Sequence, residues 1–147
     1  MKKLVVSLLF GTLLFAKGMI FSNFNKAVEY GRSSNKPIAV FIVSSSCIHC
    51  KELLLNMRKD KELLNFLGNN FAWVVIDVTR QKVPPIIPFS NSTPFIAVLN
   101  PNTLETLTDP IKGAVPNNLL YKYLSEVLKL YYNSIPYQSQ NFQGTFQ

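Results

Sequence analysis

The chain has 147 residues, 48% of them hydrophobic and 16% charged. That is one domain's length with enough apolar material for a core, and it excludes an intrinsically disordered composition. Formal charge is +7, yet the densest basic group, Arg58, Lys59 and Lys61, is interrupted by Asp60 and followed by Glu62; a solvated helix face reads that way, and a nucleic-acid partner does not.

In chain order, the first feature is an export signal over residues 1–18. Lys2 and Lys3 precede an uncharged run over 4–16, and Ala16-Lys17-Gly18 offers small residues around a cleavage point. The run falls short of the ~20 residues of a spanning helix. Extended through Phe21, with Lys17 at an interface, it would instead be an uncleaved membrane anchor. Both readings put the remainder outside the cytoplasm, in a periplasmic setting. Losing the two signal lysines from 15 basic residues leaves 13 against 8 acidic, or +5, a surface suited to acidic partners or an anionic membrane.

Phe24, Ala27, Val28 and Tyr30 predict a short amphipathic helix ending near Gly31, with a polar turn over 32–36. "PIAVFIVSS" then predicts a strand apolar on both faces, hence central. Cys50, Leu53, Leu54 and Met57 recur at helical spacing after it. Asp60 is placed to cap a continuation through Leu63, Leu64 and Leu67, closed by Gly68 and Asn69. "FAWVVIDV" predicts a second buried strand, so strand, helix and strand form a crossover unit with parallel strands.

Residues 79–93, with Pro84, Pro85 and Pro88, cannot form a regular helix or central strand. A loop of that length points to function or mobility. "PFIAVLN", a turn at Pro101-Asn102 and "LETLT" predict a hairpin. Pro116 suits the first position of a last helix whose apolar stripe is Leu120, Tyr123, Leu124, Val127, Leu128 and Tyr131. The uncharged tail over 133–147 is rich in Gln, Asn and Ser, and is expected to be mobile or to lie over the surface.

The chemistry concentrates in Cys47-Ile48-His49-Cys50, which holds both cysteines and the one histidine of the chain. An exported protein often uses two cysteines as a structural disulfide. Closing a loop of this size removes little unfolded-state entropy, however, so a staple is poorly placed here. Two thiolates and one imidazole fall one ligand short of a closed zinc site. A c-type haem needs histidine directly after the second cysteine, where Lys51 stands. A redox pair fits the placement. A strand running into a helix puts Cys47 at a helix N-terminus, where free N–H groups and the helix dipole favour a thiolate. Cys50, one turn on, can attack the resulting mixed disulfide. His49 can stabilise the thiolate, or simply be exposed.

The strand entering Cys47-Ile48-His49-Cys50-Lys51, the later Thr93-Pro94, the hairpin and Gly113 ahead of the last helix together resemble the thioredoxin-fold thiol–disulfide oxidoreductases of the bacterial periplasm. "NFAWVVIDV" after a leucine-rich helix is similar to the small exported members. The similarity is carried by residues 22–132. It implies an α/β, three-layer α/β/α domain over 19–132 around a mixed sheet of about four strands. It also implies Cys47 as nucleophile, Cys50 as resolving thiol, His49 as a tuning residue, and Thr93 and a cis Pro94 as the substrate-backbone site. Without the resemblance, Pro94 is an ordinary loop proline. No cofactor is implied; the implied partners are protein disulfides or dithiols and a membrane or periplasmic redox partner.

Histidine at the third motif position resembles oxidases and isomerases, and Thr before the proline resembles isomerases. Three features depart from the family pattern. The buried acid that many thioredoxins place in the preceding strand would fall near Phe41, and no acid lies between residues 37 and 46. Ser46 replaces the tryptophan often found before the first cysteine. The proline-rich loop stands where many relatives have a helix, and its Ile86, Ile87 and Phe89 either line a substrate groove or pack into the core. A specialised partner is expected rather than general disulfide reduction. The alternative from another class is a binding module with a vestigial cysteine pair.

Overall fold

A computed structural model describes residues 20–134. The expected export signal at 1–18 and the tail beyond 134 lie outside these residues. The order is β1 (Ile20–Phe21), α1 (Phe24–Ser34), β2 (Ile38–Val43), α2 (Ile48–Lys59), α3 (Lys61–Asn70), β3 (Ala72–Asp77), β4 (Phe95–Leu99), β5 (Ile111–Lys112) and α4 (Asn117–Ser134).

The strands form one mixed sheet in the order β1-β3-β2-β4-β5. β2 runs parallel to β3, pairing Ile38 with Ala72 through Val43 with Asp77, and antiparallel to β4. Every residue of β2 is buried, as a run of β-branched and aromatic residues without polar alternation requires. Successive side chains of a strand point to opposite faces, so β2 feeds two cores. Ile38, Val40 and Ile42 pack with Phe24, Ala27 and Val28 of α1. Ala39 and Phe41 face Leu53 and Met57 of α2, Leu63 and Leu67 of α3, and Leu120 and Leu124 of α4. The predicted three layers are present.

The sheet has five strands rather than about four. β1 is only two residues long and pairs in parallel with β3, too short for a sequence period to register. α1 continues past Gly31 to Ser34, and Asn35 ends it in the left-handed region at φ 51°. Gly31 is instead a point of close approach: a Cβ there would lie 2.8 Å from the Lys36 carbonyl oxygen and 3.2 Å from Ile38 Cγ1 and Pro101 Cβ. α3 likewise runs through Gly68 and Asn69 to Asn70.

Asp60 divides α2 from α3, its Oδ1 accepting the Leu63 N–H at 3.0 Å. The second hairpin arm is weaker than "LETLT" suggested. It makes one bridge, Leu99 to Thr106, and regular pairing with β4 resumes only at Ile111 and Lys112. Pro116 sits one residue ahead of α4, and its carbonyl accepts the Leu120 N–H at 3.0 Å.

The proline-rich segment carries core side chains without helical geometry. Ile87 is buried in the α1-side cluster, and Phe89 packs edge-on to Phe95 with ring centroids 5.5 Å apart. Ile86 is exposed.

Two substitutions test this frame. Gly31→Ala forces backbone apart at the Lys36 carbonyl and should destabilise the domain by about 1–3 kcal/mol in urea unfolding. Asp60→Ala removes the α3 cap and should cost ~1 kcal/mol by the same measurement.

Candidate functional site

The site forms where β2 ends and α2 begins. Val43 closes the strand, residues 44–46 turn, and the Cys47 N–H donates to the Ser44 carbonyl at 3.1 Å. Cys47 is the N-cap of α2: its backbone is extended (φ −85°, ψ 114°) and its Sγ accepts the Cys50 N–H at 3.2 Å. A cap normally uses a side-chain oxygen; here a sulfur takes that place among the unpaired N–H groups of the first turn. Both cysteines are free thiols, Cys47 partly exposed and Cys50 buried.

Cys50 is buried because it shares a helix face with Leu53 and Met57. The two thiols therefore differ in environment. Desolvation raises the Cys47 pKa, but hydrogen bonding from Cys50 and the Thr93 side chain, with the Cys50 and His49 backbone N–H groups, outweighs it and lowers the value. One contact opposes that direction: the Cys47 thiol lies 3.6 Å from the Thr93 carbonyl oxygen, which accepts only from the protonated form. Several donors against one long sulfur contact leave the thiolate more stable than that of an ordinary cysteine. Burial, then the neighbouring Cys47, pushes the Cys50 thiol up.

Thr93 and Pro94 come from the far end of the proline-rich segment. The Thr93–Pro94 peptide is cis. The Gly113 N–H donates to the Pro94 carbonyl at 2.8 Å, and Gly113 has φ 98°, a conformation suited to glycine. The structure thus brings Thr93 against Cys47, 46 residues earlier in the chain.

His49 is placed differently from its neighbours. Its ring is largely exposed and its Nδ1 lies 3.8 Å from Glu52 Oε2, while its backbone N–H serves Cys47. Phe41, the position at which the resemblance would place an acid, is fully buried and packs on Trp73 with centroids 5.7 Å apart. Among the described residues no polar or charged side chain is buried in the core.

Sequence reasoning missed a polar clasp beneath the motif. Asp77, at the end of β3, accepts from the Thr79 hydroxyl at 2.6 Å and from its N–H at 3.0 Å. The Thr79 hydroxyl in turn meets the Ser45 hydroxyl at 2.9 Å. Thr79 is the main reason the Asp77 carboxyl is held below its ordinary value, with smaller help from Arg80 and the Ser45 N–H against desolvation. Asp-x-Thr after a strand is a local turn signal; its link to Ser45 depends on β3 lying beside β2.

The clasp is testable by pH. A depressed folded-state pKa stabilises the protein above the ordinary Asp value of about 4, and the contribution disappears as pH falls through the lower folded value. The stability difference between the parent chain and Asp77→Asn, from urea unfolding at several pH values, should be constant near neutrality and shrink in that acid range.

A family model described as thioredoxin-like matches residues 19–101. Comparison with curated proteins finds no match. Among solved structures, the chain is similar to a DsbH oxidoreductase at 17% identity and a TM-score of 0.60, covering 83% of this chain and 93% of that one. It is similar to a thioredoxin from Thermus thermophilus at 18% and 0.57, covering 75% and 87%. The C-terminal domain of Neisseria meningitidis DsbD, in its oxidised form, gives 16% and 0.55, covering 74% and 98%. These neighbours share the fold; the family model spans more than half of the sequence, and the chain belongs to the thioredoxin-like family.

Proposed function

We propose that the protein is an exported thiol–disulfide oxidoreductase acting on protein disulfides or dithiols through Cys47 and Cys50. The observation that carries this reading is the Cys47 sulfur capping α2, partly exposed and 3.6 Å from the Thr93 carbonyl. In the reducing direction, the Cys47 thiolate attacks one sulfur of a substrate disulfide, forming a mixed disulfide and releasing the other sulfur as a thiolate. Cys50 then loses its proton and attacks Cys47 Sγ. The Cys47–Cys50 disulfide forms, the second substrate sulfur leaves, and two electrons have passed to the substrate. Oxidation of a dithiol runs the same steps in reverse.

Thr93 and Pro94 serve as the platform for the substrate backbone, a role supported by the Thr93 carbonyl lying against the sulfur and by the cis peptide that joins the two. His49 contributes through its backbone N–H, and its exposed ring stands at the mouth of the site. The lowered Cys47 pKa stabilises the reduced form, which makes the disulfide more oxidising. The apolar surroundings of Cys50 offer it no carboxylate base, so its proton passes to solvent or to the departing thiolate. Resolution is accordingly slow and the mixed disulfide long-lived, which suits a dedicated partner. The basic start and apolar run at residues 2–16 support a location outside the cytoplasm, with recycling by a membrane or periplasmic redox protein.

Two measurements test the reading. Alkylation of the reduced protein should label Cys47 alone, with a pH midpoint below the ordinary thiol value of about 8.5; equal labelling of both thiols would contradict it. Cys50→Ser should accumulate mixed disulfides in the exported fraction, identifiable by mass spectrometry, and Cys47→Ser should return exchange to background. A parent chain that exchanges no faster than Cys47→Ser would be a binding module instead.

A further inference from the structure

The segment joining β3 to β4 starts with Thr79 against Ser45 and ends with Thr93 against Cys47. Between those ends it walls an open groove of about 720 Å³. The apolar side is lined by Val83, Ile87 and Phe89, anchored in the α1-side core. The polar side is lined by Arg80, Gln81 and Lys82, all exposed. No acidic residue lines it. Among the described residues Lys82 has no ion-pair partner, and Arg80 meets only Asp77, at 3.7 Å with its own side chain 82% exposed. Thr79 takes the other carboxylate oxygen, Oδ1, and an exposed pair of this length holds Arg80 weakly.

We propose that this groove is a docking site for an acidic, apolar segment flanking the disulfide of a protein partner. The proposal rests on the oxidoreductase reading above and assigns that site its substrate class. Charge complementarity identifies the occupant. An aliphatic or aromatic side chain of the partner packs on Ile87 and Phe89 while adjacent carboxylates face Arg80 and Lys82. The two cations line a groove that has no acidic lining residue, Asp77 being Arg80's one weak partner, and such fields steer encounter as well as hold the complex. The segment that walls the groove runs on to Thr93, which lies against Cys47, so a partner held along it has its disulfide directed towards Cys47.

The test uses the reduced full-length chain and two cyclic peptides, each closed by one disulfide next to a leucine. One carries two glutamates beside the leucine, the other two lysines. Each turnover passes two electrons and two protons from the Cys47–Cys50 dithiol to the peptide disulfide. At low ionic strength the glutamate peptide should react about tenfold faster. The advantage should shrink as salt shortens the screening length to ~8 Å near 0.15 M.

R80E/K82E should cancel or invert the preference, and R80Q/K82Q, which keeps the side-chain length close, should remove it. K26E/K129E, the same change in net charge on α1 and α4, should leave it in place. Uncharged hydroxyethyl disulfide should react equally with all four proteins. If the parent chain cannot reduce hydroxyethyl disulfide, the oxidoreductase reading itself fails. If it can, but the peptide preference survives R80E/K82E or is lost equally in K26E/K129E, the groove assignment alone is overturned. Self-association in sedimentation that disappears in R80E/K82E would give the groove to a second copy and overturn it as well.

Discussion

The architecture depends on β2 being buried on both faces. A strand with no polar alternation must lie in the middle of a sheet with a layer on each side. Ile38, Val40 and Ile42 require α1 and the proline-rich segment on one side, and Ala39 and Phe41 require α2, α3 and α4 on the other. The same constraint gives the redox motif its position, since a central strand delivers its C-terminal end to the middle of one edge of the domain. β3 on one side supplies Asp77 and Thr79, and β4 on the other begins directly after Thr93 and Pro94.

At that edge a small electrostatic asymmetry separates two chemically identical thiols. Cys47 stands at the helix N-terminus, where N–H groups of the first turn stabilise negative charge. Cys50, three residues on, has rotated into the stripe of Leu53 and Met57, where burial disfavours charge. One turn of helix between a dipole end and an apolar core is enough to shift the two thiols in opposite directions. The Asp77–Thr79–Ser45 clasp holds the turn that sets this geometry, in a chain where serines occupy 44–46.

The proline-rich segment is the chain's own variation on the fold. Prolines remove helical hydrogen bonding, yet Ile87 and Phe89 still fill the α1-side core. Ile87 and Phe89 pack inward, as core packing expects, and also line an open groove, while Ile86 faces out. A loop freed from helical periodicity can combine core anchoring with an open basic wall.

Much of this was legible in the residues because it rests on local chemistry. Continuous apolar runs placed β2 and β3, a 3.6-residue period placed α2 and α4, and the three-residue cysteine spacing placed one thiol at a helix start and the other on its buried face. The errors fell where local signals compete with packing. Gly31 and Gly68 read as helix ends but lie inside helices, because Gly31 is needed for close approach to Lys36 and Pro101. β1 and β5 are two residues each, and only neighbouring strands create them. The sequence by itself determined the layers, the central strand and the placing of two cysteines at a helix start, since each follows from side-chain type and spacing along one element. Only the tertiary structure decided that Thr93 meets Cys47, that Asp77 reaches Ser45 through Thr79, and that Arg80 and Lys82 rim a groove. Those contacts join residues two to 46 positions apart across three strands, and their distances are set by sheet order rather than by any period in the chain.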